Sequence, residues 1–448
     1  MNGELVKENN IYQNPVTVKN ILKFTLPTIA MFIFLSFYTM IDGMFVSNIL
    51  GTDALSAVNI SMPVLSTMYA IASMFATGGS AIVMKKIGEQ KNEEAKQNFN
   101  SLIIVSIISG VIAGIFGYIL TKSVILNMNV SPEVLNFAKE YLGYVLIFTI
   151  PTFLNVNFSV YLIASEKANL SFICSIAGGV TNIVLDYLFL SVFNMGIKGA
   201  AIATGLGYSV TAVVGLIVFA NKTNLLHFLK PKFSLKVLGK TITNGSSEMV
   251  NSLSMAITTY VFNLMALKYA GENGVAAITI IMYVLFFVSS LFIGYSLGIA
   301  PMISYYFGEN NKDKLTKLTN TSLKIIGVIS LISVTISIIL TNPLVSMFTD
   351  SNSPVFQLAT SGNKIFSISL LFVGFNIFTS GMFTALNNGF ISALLSFTRS
   401  LVFIIICLFV FPSLFGITGV WVANPIAEFL SIILSFAMFF KYKSKYNY

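Results

Sequence analysis

The chain has 448 residues, of which 55% are hydrophobic and only 10% charged, whereas an ordinary soluble domain carries about 25% charged residues. That balance excludes a soluble globular protein and points to a membrane protein. The formal net charge of +9 would suit a nucleic-acid binder in a soluble chain, but in one this apolar the lysines must first be placed against the bilayer.

The polar stretch 1–20 holds both acids and lysines and lacks the apolar core and small-residue cleavage site of a secretory signal. The first apolar run is therefore expected to stay in the membrane. About 20 apolar residues cross the hydrocarbon. Twelve such runs follow in order, near 20–41, 55–83, 100–121, 137–161, 170–192, 199–220, 242–267, 276–304, 322–340, 360–385, 394–411 and 419–440. The expected fold class is an all-α membrane protein of twelve transmembrane helices.

Cytoplasmic loops retain Lys and Arg. With the N-terminus inside, the inner segments hold Lys7, Lys19, Lys23, Lys85, Lys86, Lys91, Lys96, Lys167, the run from Lys222 to Lys240, Lys312, Lys314, Lys317, Lys324, Arg399 and the tail lysines. The outer segments keep Lys122, Lys139, Lys198, Lys268 and Lys364. Both termini are thus expected in the cytoplasm, with the protein in the plasma membrane. The positive charge then reports topology beside anionic lipid, and no nucleic-acid partner is needed to explain it.

The sequence also repeats. At an offset of 220, "LGTDALSAVNISMPV" from Leu50 aligns with "AGENGVAAITIIMYV" from Ala270, and Gly78 pairs with Gly298. The same offset pairs Gly88 and Glu89 with Gly308 and Glu309, and "GIKGAAIAT" with "GITGVWVAN". Residues 1–220 and 242–448 read as two six-helix halves joined by a lysine-rich linker, 221–241. An even number of spans per half makes the repeats parallel, related by a pseudo-two-fold axis along the membrane normal. Such halves enclose a central cavity and can rock about it; a duplicated structural bundle is the plainer alternative.

Polar side chains inside the apolar runs are the candidates for function. Asp186 lies in "TNIVLDYLFL", where a carboxylate at the centre of a span costs about 3 kcal/mol. Asn182 is one helical turn before it on the same face. Thr204 follows in the next, antiparallel span, and Asp42 closes the apolar part of the first. Carboxylates with an amide and a hydroxyl suit a hard monovalent cation or an exchangeable proton; alternatively, Asp186 only bonds a neighbouring helix. Glu248 heads a second stripe, with Ser252, Met255, Thr259 and Asn263 at spacings of three and four, expected to line the cavity. Aromatic and sulfur-bearing side chains there suit flat organic cations, and Tyr38, Met255, Tyr260, Met282, Tyr283 and Phe287 are the candidates. Arg399 is short of mid-span and is expected to snorkel to the cytoplasm, while Glu428 has no assignable partner. Cys174 and Cys407 read as buried hydrophobes and His227 as a solvated loop residue. No catalytic motif and no resident cofactor is expected.

These residues resemble the multidrug and toxic compound extrusion (MATE) family over essentially the whole chain. The resemblance rests on "LPTIAMFIFLSFYTMIDGMFVSNILGTDALSAV" from Leu26, the Gly88 and Gly308 blocks, "NIVLDY", "GIKGAAIAT" and "GITGVWVAN". It implies a twelve-helix antiporter, not an enzyme, that expels drugs and other organic cations in exchange for Na⁺ or H⁺, and it is expected to act as a monomer. It further implies that Asp42, Asn182, Asp186 and Thr204 form the cation site, with Na⁺ as the candidate metal, that Glu248 matches an acid of another branch, and that Pro27 is a hinge in the first helix. The tenth span, "VGFNIFTSGMFTALNNG", lacks the acid some branches carry, so coupling through the N-terminal half is favoured. A flippase for lipid-linked oligosaccharides or cell-wall precursors is the alternative; it would usually bring two more spans and an Arg-rich cavity, and this chain has one Arg.

Overall fold

The computed structural model describes residues 11–123 and 131–448; Lys7 falls outside them. Fifteen α-helices run in chain order among the described residues: α1 Val18–Leu50, α2 Thr52–Gly88, α3 Asn92–Ser123, α4 Pro132–Val145, α5 Thr149–Ala164, α6 Ala168–Asp186, α7 Ile197–Ala220, α8 Leu235–Gly308, α9 Lys312–Ile339, α10 Thr341–Ser346, α11 Pro354–Phe366, α12 Leu370–Ala385, α13 Gly389–Phe397, α14 Ile404–Phe415 and α15 Ile417–Tyr446. Four pairs or groups act as single spans: short 3₁₀ turns splice α4 to α5 and α11 to α12, and π turns extend α6 and join α13 to α14. Among the described residues, eleven runs are long and apolar enough to cross a membrane. The longest, α8, breaks at Gly271, whose φ of 63° and ψ of −155° are open to glycine alone without strain. It thus supplies two spans, and the bundle has twelve.

Helix starts follow local chemistry. Ser131 and Ser353 accept hydrogen bonds from Val134 N and Phe356 N at 3.3 and 3.1 Å, each with a proline in the first turn that follows. Ser234 caps α8 through Val237 N at 3.4 Å. The eighth helix therefore begins at Leu235, and the connection between halves is shorter than the 221–241 read from the sequence. Lysines interrupt the apolar pattern there, but they do not interrupt helix formation. Likewise α1 does not stop at Asp42; it continues to Leu50, where Gly51 at φ 89° ends it. It also runs through Pro27 without a break.

The repeat is written into the backbone. Left-handed residues recur at the same offset: Gly51 with Gly271, Gln90 with Asn310, and Gly196 with Gly416. Packing is inverted relative to a soluble protein. Along α3, Ile108, Ile112, Ile115 and Ile119 are all more than half exposed, while Gly110, Ala113 and Gly117 are buried. Apolar side chains face lipid and small ones let helices approach.

Three large cores and one small one, of Met31, Ile163 and Ala168, organise the described residues. One, including Val46, Ala57, Phe153 and Ile197, belongs to the first half. A second, including Phe262, Ile281, Phe366 and Trp421, belongs to the second half. The third joins both, running from Tyr12 and Phe24 through Phe99 and Tyr161 to Tyr295, Tyr305 and Phe383, and it lies at the lysine-rich end of the helices. The halves are thus fused at one end and separately packed at the other.

The fusion is close enough to need glycine. A Cβ on Gly88 would collide with the Tyr305 carbonyl oxygen, and one on Gly308 with that of Lys85. Gly78 and Gly245 similarly admit the backbones of α8 and α2. Tyr12, 0% exposed, stacks on Tyr305 at 4.8 Å and donates to the Ala164 carbonyl at 2.6 Å, so the turn ahead of α1 touches both halves. Leu226 of the connecting segment is fully buried, and Asn100 donates to the His227 carbonyl at 3.1 Å. Cys174 and Cys407 are buried free thiols.

Candidate functional site

In the first half, α6 and α7 touch backbone to backbone. A Cβ on Gly178 would lie 2.7 Å from the Gly207 carbonyl oxygen, and one on Gly207 would lie 2.9 Å from that of Gly178. This approach is what brings Asn182, one turn beyond Gly178, against Thr204, just before Gly207. Asn182 and Asp186 are both 0% exposed and Thr204 is 8% exposed. The α6 helix changes to a π turn, Tyr187–Val192, directly after Asp186, a backbone irregularity frequent at functional sites.

The sequence-expected quartet meets here. With its amide oriented so that oxygen receives Thr204 N at 3.0 Å, the Asn182 nitrogen lies 3.1 Å from Asp186 Oδ2, 3.3 Å from Asp42 Oδ1 and 3.0 Å from the Tyr38 hydroxyl. The Thr204 hydroxyl donates to the Ala200 carbonyl at 3.0 Å, leaving its lone pairs to the cluster. Two amide hydrogens therefore face three oxygens, and the buried Asp186 Oδ1 has no partner among the described residues. The cluster has more acceptors than donors, and two of its members are carboxylates. A proton or a small hard cation is what such a set can bind.

Tyr38 belongs to this cluster, although the sequence grouped it with the cavity aromatics. Two further members were missed: Tyr141, 3% exposed beside Thr204, and Tyr208, within electrostatic reach of Asp42. Tyr208 lies four residues after Thr204, on the same face of α7, which was the available signal. At the repeat offset, Asp42, Asn182, Asp186 and Thr204 correspond to Phe262, Val402, Ile406 and Asn424. The second half has no counterpart of the carboxylate pair.

Of the other expected residues, Glu248 is within electrostatic reach of Tyr69 across the halves and of Arg399. Met255 and Tyr260 are 54% and 68% exposed. Tyr283 stacks on Phe348 at 6.0 Å, Met282 packs into the core of the second half, and Phe287 meets Phe37 edge to face at 4.9 Å across the seam. The structure does not gather these six into one cluster.

Arg399 does not snorkel. The π turn Thr398–Phe403 turns it into the bundle, where Nε donates to both carboxylate oxygens of Glu428 at 2.9 and 3.0 Å. Asn376 donates to Glu428 Oε2 at 2.7 Å, and Ser435 donates to Asn376 Oδ1 at 2.9 Å. An ion pair whose carboxylate is also held by an amide outweighs the stretch of one side chain to water. Glu428 has its partner, and Asn376, in the span noted for lacking an acid, supplies the amide that holds it.

Comparison with known proteins agrees with this architecture. A family model described as MatE matches residues 27–188 and again 249–410. The chain is 24% identical over 426 residues to the multidrug export protein MepA of Staphylococcus haemolyticus strain JCSC1435, spanning 94% of this chain and 93% of that one. It superposes on a crystal structure of MATE in complex with MaD5 with a TM-score of 0.91 at 25% identity, covering 98% and 99% of the two chains. It also superposes on a MOP superfamily transporter from Pyrococcus furiosus Vc1 with a TM-score of 0.89 at 25% identity, covering 96% of each. That structure is reported with a binding pocket of reverse polarity that suggests a different function.

Proposed function

Because this chain belongs to the MatE family of membrane transporters, we propose that it is a multidrug exporter that drives organic cations out of the cell in exchange for Na⁺ or H⁺. The observation that carries this reading is the acceptor-rich cluster of Asp42 with the buried Asn182, Asp186 and Thr204, set in one half and not repeated in the other. A site that gains or loses one positive charge in one half, together with a half-buried acid, Glu248, in the other, is what exchange of two cations requires. Similarity to the staphylococcal export protein supports the direction and substrate class.

In this reading the lysine-rich end faces the cytoplasm of the plasma membrane, both termini lie inside, and the protein works as a monomer among membrane lipids. The shared core at that end and the separate cores at the other then support an outward-facing shape. Loading of the Asp186 cluster alters how α1, α6 and α7 pack, and release of the organic cation from the region of Glu248 accompanies it. Pro27, which leaves the Lys23 carbonyl without a helical donor, is where α1 can bend between the two shapes.

The test is transport by purified protein in liposomes with the Na⁺ and pH gradients imposed separately. One of the two gradients should drive accumulation of a cationic dye such as ethidium. Equal accumulation with neither gradient, or driven only by a nucleotide, overturns the antiport reading.

A further inference from the structure

Each π turn of the described chain lies at a charged side chain inside the bundle: Asp186 precedes one and Arg399 lies in the other. The first belongs to the cation cluster; the second has no role in the exchange described above. Its surroundings are a built site. Glu428 is 7% exposed and is fixed by Asn376, which Ser435 fixes in turn. A ladder of hydroxyls, Ser247 to Thr384 at 3.1 Å, Thr384 to Ser392 at 2.7 Å, Ser392 to Ser380 at 3.1 Å and Ser380 to Ser396 at 2.9 Å, ties α8, α12 and α13 together one turn before Arg399.

The guanidinium is held at one edge only. Both bonds to Glu428 come from Nε, and the two terminal nitrogens make no hydrogen bond to a described residue. The Arg399 side chain keeps 19% of its surface exposed. A guanidinium carries five donors in a planar fork matched to carboxylate oxygens. Four of them are left to something other than Glu428. Glu248 lies within electrostatic reach on α8, and Thr258 of the same helix donates to the Ser400 carbonyl at 2.7 Å, which keeps α8 beside the π turn.

We infer that the terminal nitrogens of Arg399 receive the anionic group of zwitterionic substrates whose cationic group is taken by Glu248. This rests on the reading of Glu248 as a cation-binding acid and adds a second point of recognition to it. Glu428 is the residue that makes the arrangement work, since it neutralises part of the arginine charge and aims the fork without occupying it. A purely cationic substrate meets Glu248 alone; a zwitterion aligned along the Glu248 to Arg399 direction meets both.

The experiment compares a fluoroquinolone that carries an amine and a carboxylate with its methyl ester, both assayed with the full-length protein in liposomes. The wild type should show a KM about tenfold lower for the zwitterion, the worth of one hydrogen-bonded charge contact. Arg399→Lys keeps the charge but loses the fork, and the double variant Arg399→Gln with Glu428→Gln removes both charges without leaving a buried carboxylate alone. Each should raise the KM for the zwitterion to that of the ester and leave ester transport unchanged, which also shows that the protein is folded. Equal effects on the two substrates, loss of both, or no wild-type preference would reduce Arg399 to a brace for Glu428. Should Glu248→Gln leave ester export untouched, the reading of Glu248 itself fails, whatever Arg399 does.

Discussion

Two hydrogens on the Asn182 amide face three oxygens, and Asp186 Oδ1 has no described partner at all. Replacing Asp186 by Asn supplies donors and removes the charge at nearly constant volume. The variant should lose gradient-driven efflux to background in liposomes, while its melting temperature stays equal to or above that of the wild type, because a buried carboxylate is costly. Asn182→Ala leaves both carboxylates in place and should slow efflux without abolishing it. Wild-type transport by Asp186→Asn would remove this cluster from the mechanism. The residues themselves were legible in the sequence, since polar groups stand out in apolar runs. What they touch was less so: Tyr38 and Tyr141 reach the cluster through helix rotation, and Arg399 finds Glu428 across 29 positions through a π turn that no spacing rule anticipates.

Among the elements, the crossing of α2 with α8 admits no side chain at Gly88 or Gly308, where a Cβ would strike a backbone carbonyl. Gly88→Ala or Gly308→Ala should therefore hold the lysine-rich end ajar. The expected result is faster modification of a cysteine placed at Thr241, beside Gly78, by a reagent added from the lysine-rich side, together with lost transport and retained binding of a cationic dye. Unchanged labelling would mean that the seam tolerates the extra methyl. Paired glycines at one offset were visible in the sequence as part of the repeat, but not that they face carbonyls of the opposite half. Hydropathy located all twelve spans because each needs an apolar stretch of bilayer length. It missed the helix ends, since polar residues beyond the hydrocarbon continue a helix as readily as apolar ones; hence α1 reaches Leu50 and α8 begins at Leu235.

At the scale of the whole molecule, the fused end coincides with the lysine-rich one, which the proposed orientation places in the cytoplasm. A cysteine introduced at Lys230 should react with a membrane-impermeant maleimide only in inverted vesicles, and one at Asn352 only in intact cells. The reverse pattern would invert the protein and the direction of transport with it. The segment after Lys230 has a further consequence, for biosynthesis. Leu226 and His227 are anchored to the first half, whereas α8 starts at Leu235, so the chain's slack lies in a few residues between them. Each half encloses a core of its own, yet Tyr12 finishes its packing against Tyr305, in the second half. The first half must therefore leave the ribosome with a bare face and wait for its complement in the lipid. Two separately translated pieces, 1–230 and 231–448, should find each other there: a tag on the first should co-purify the second, and transport should return only when both are made.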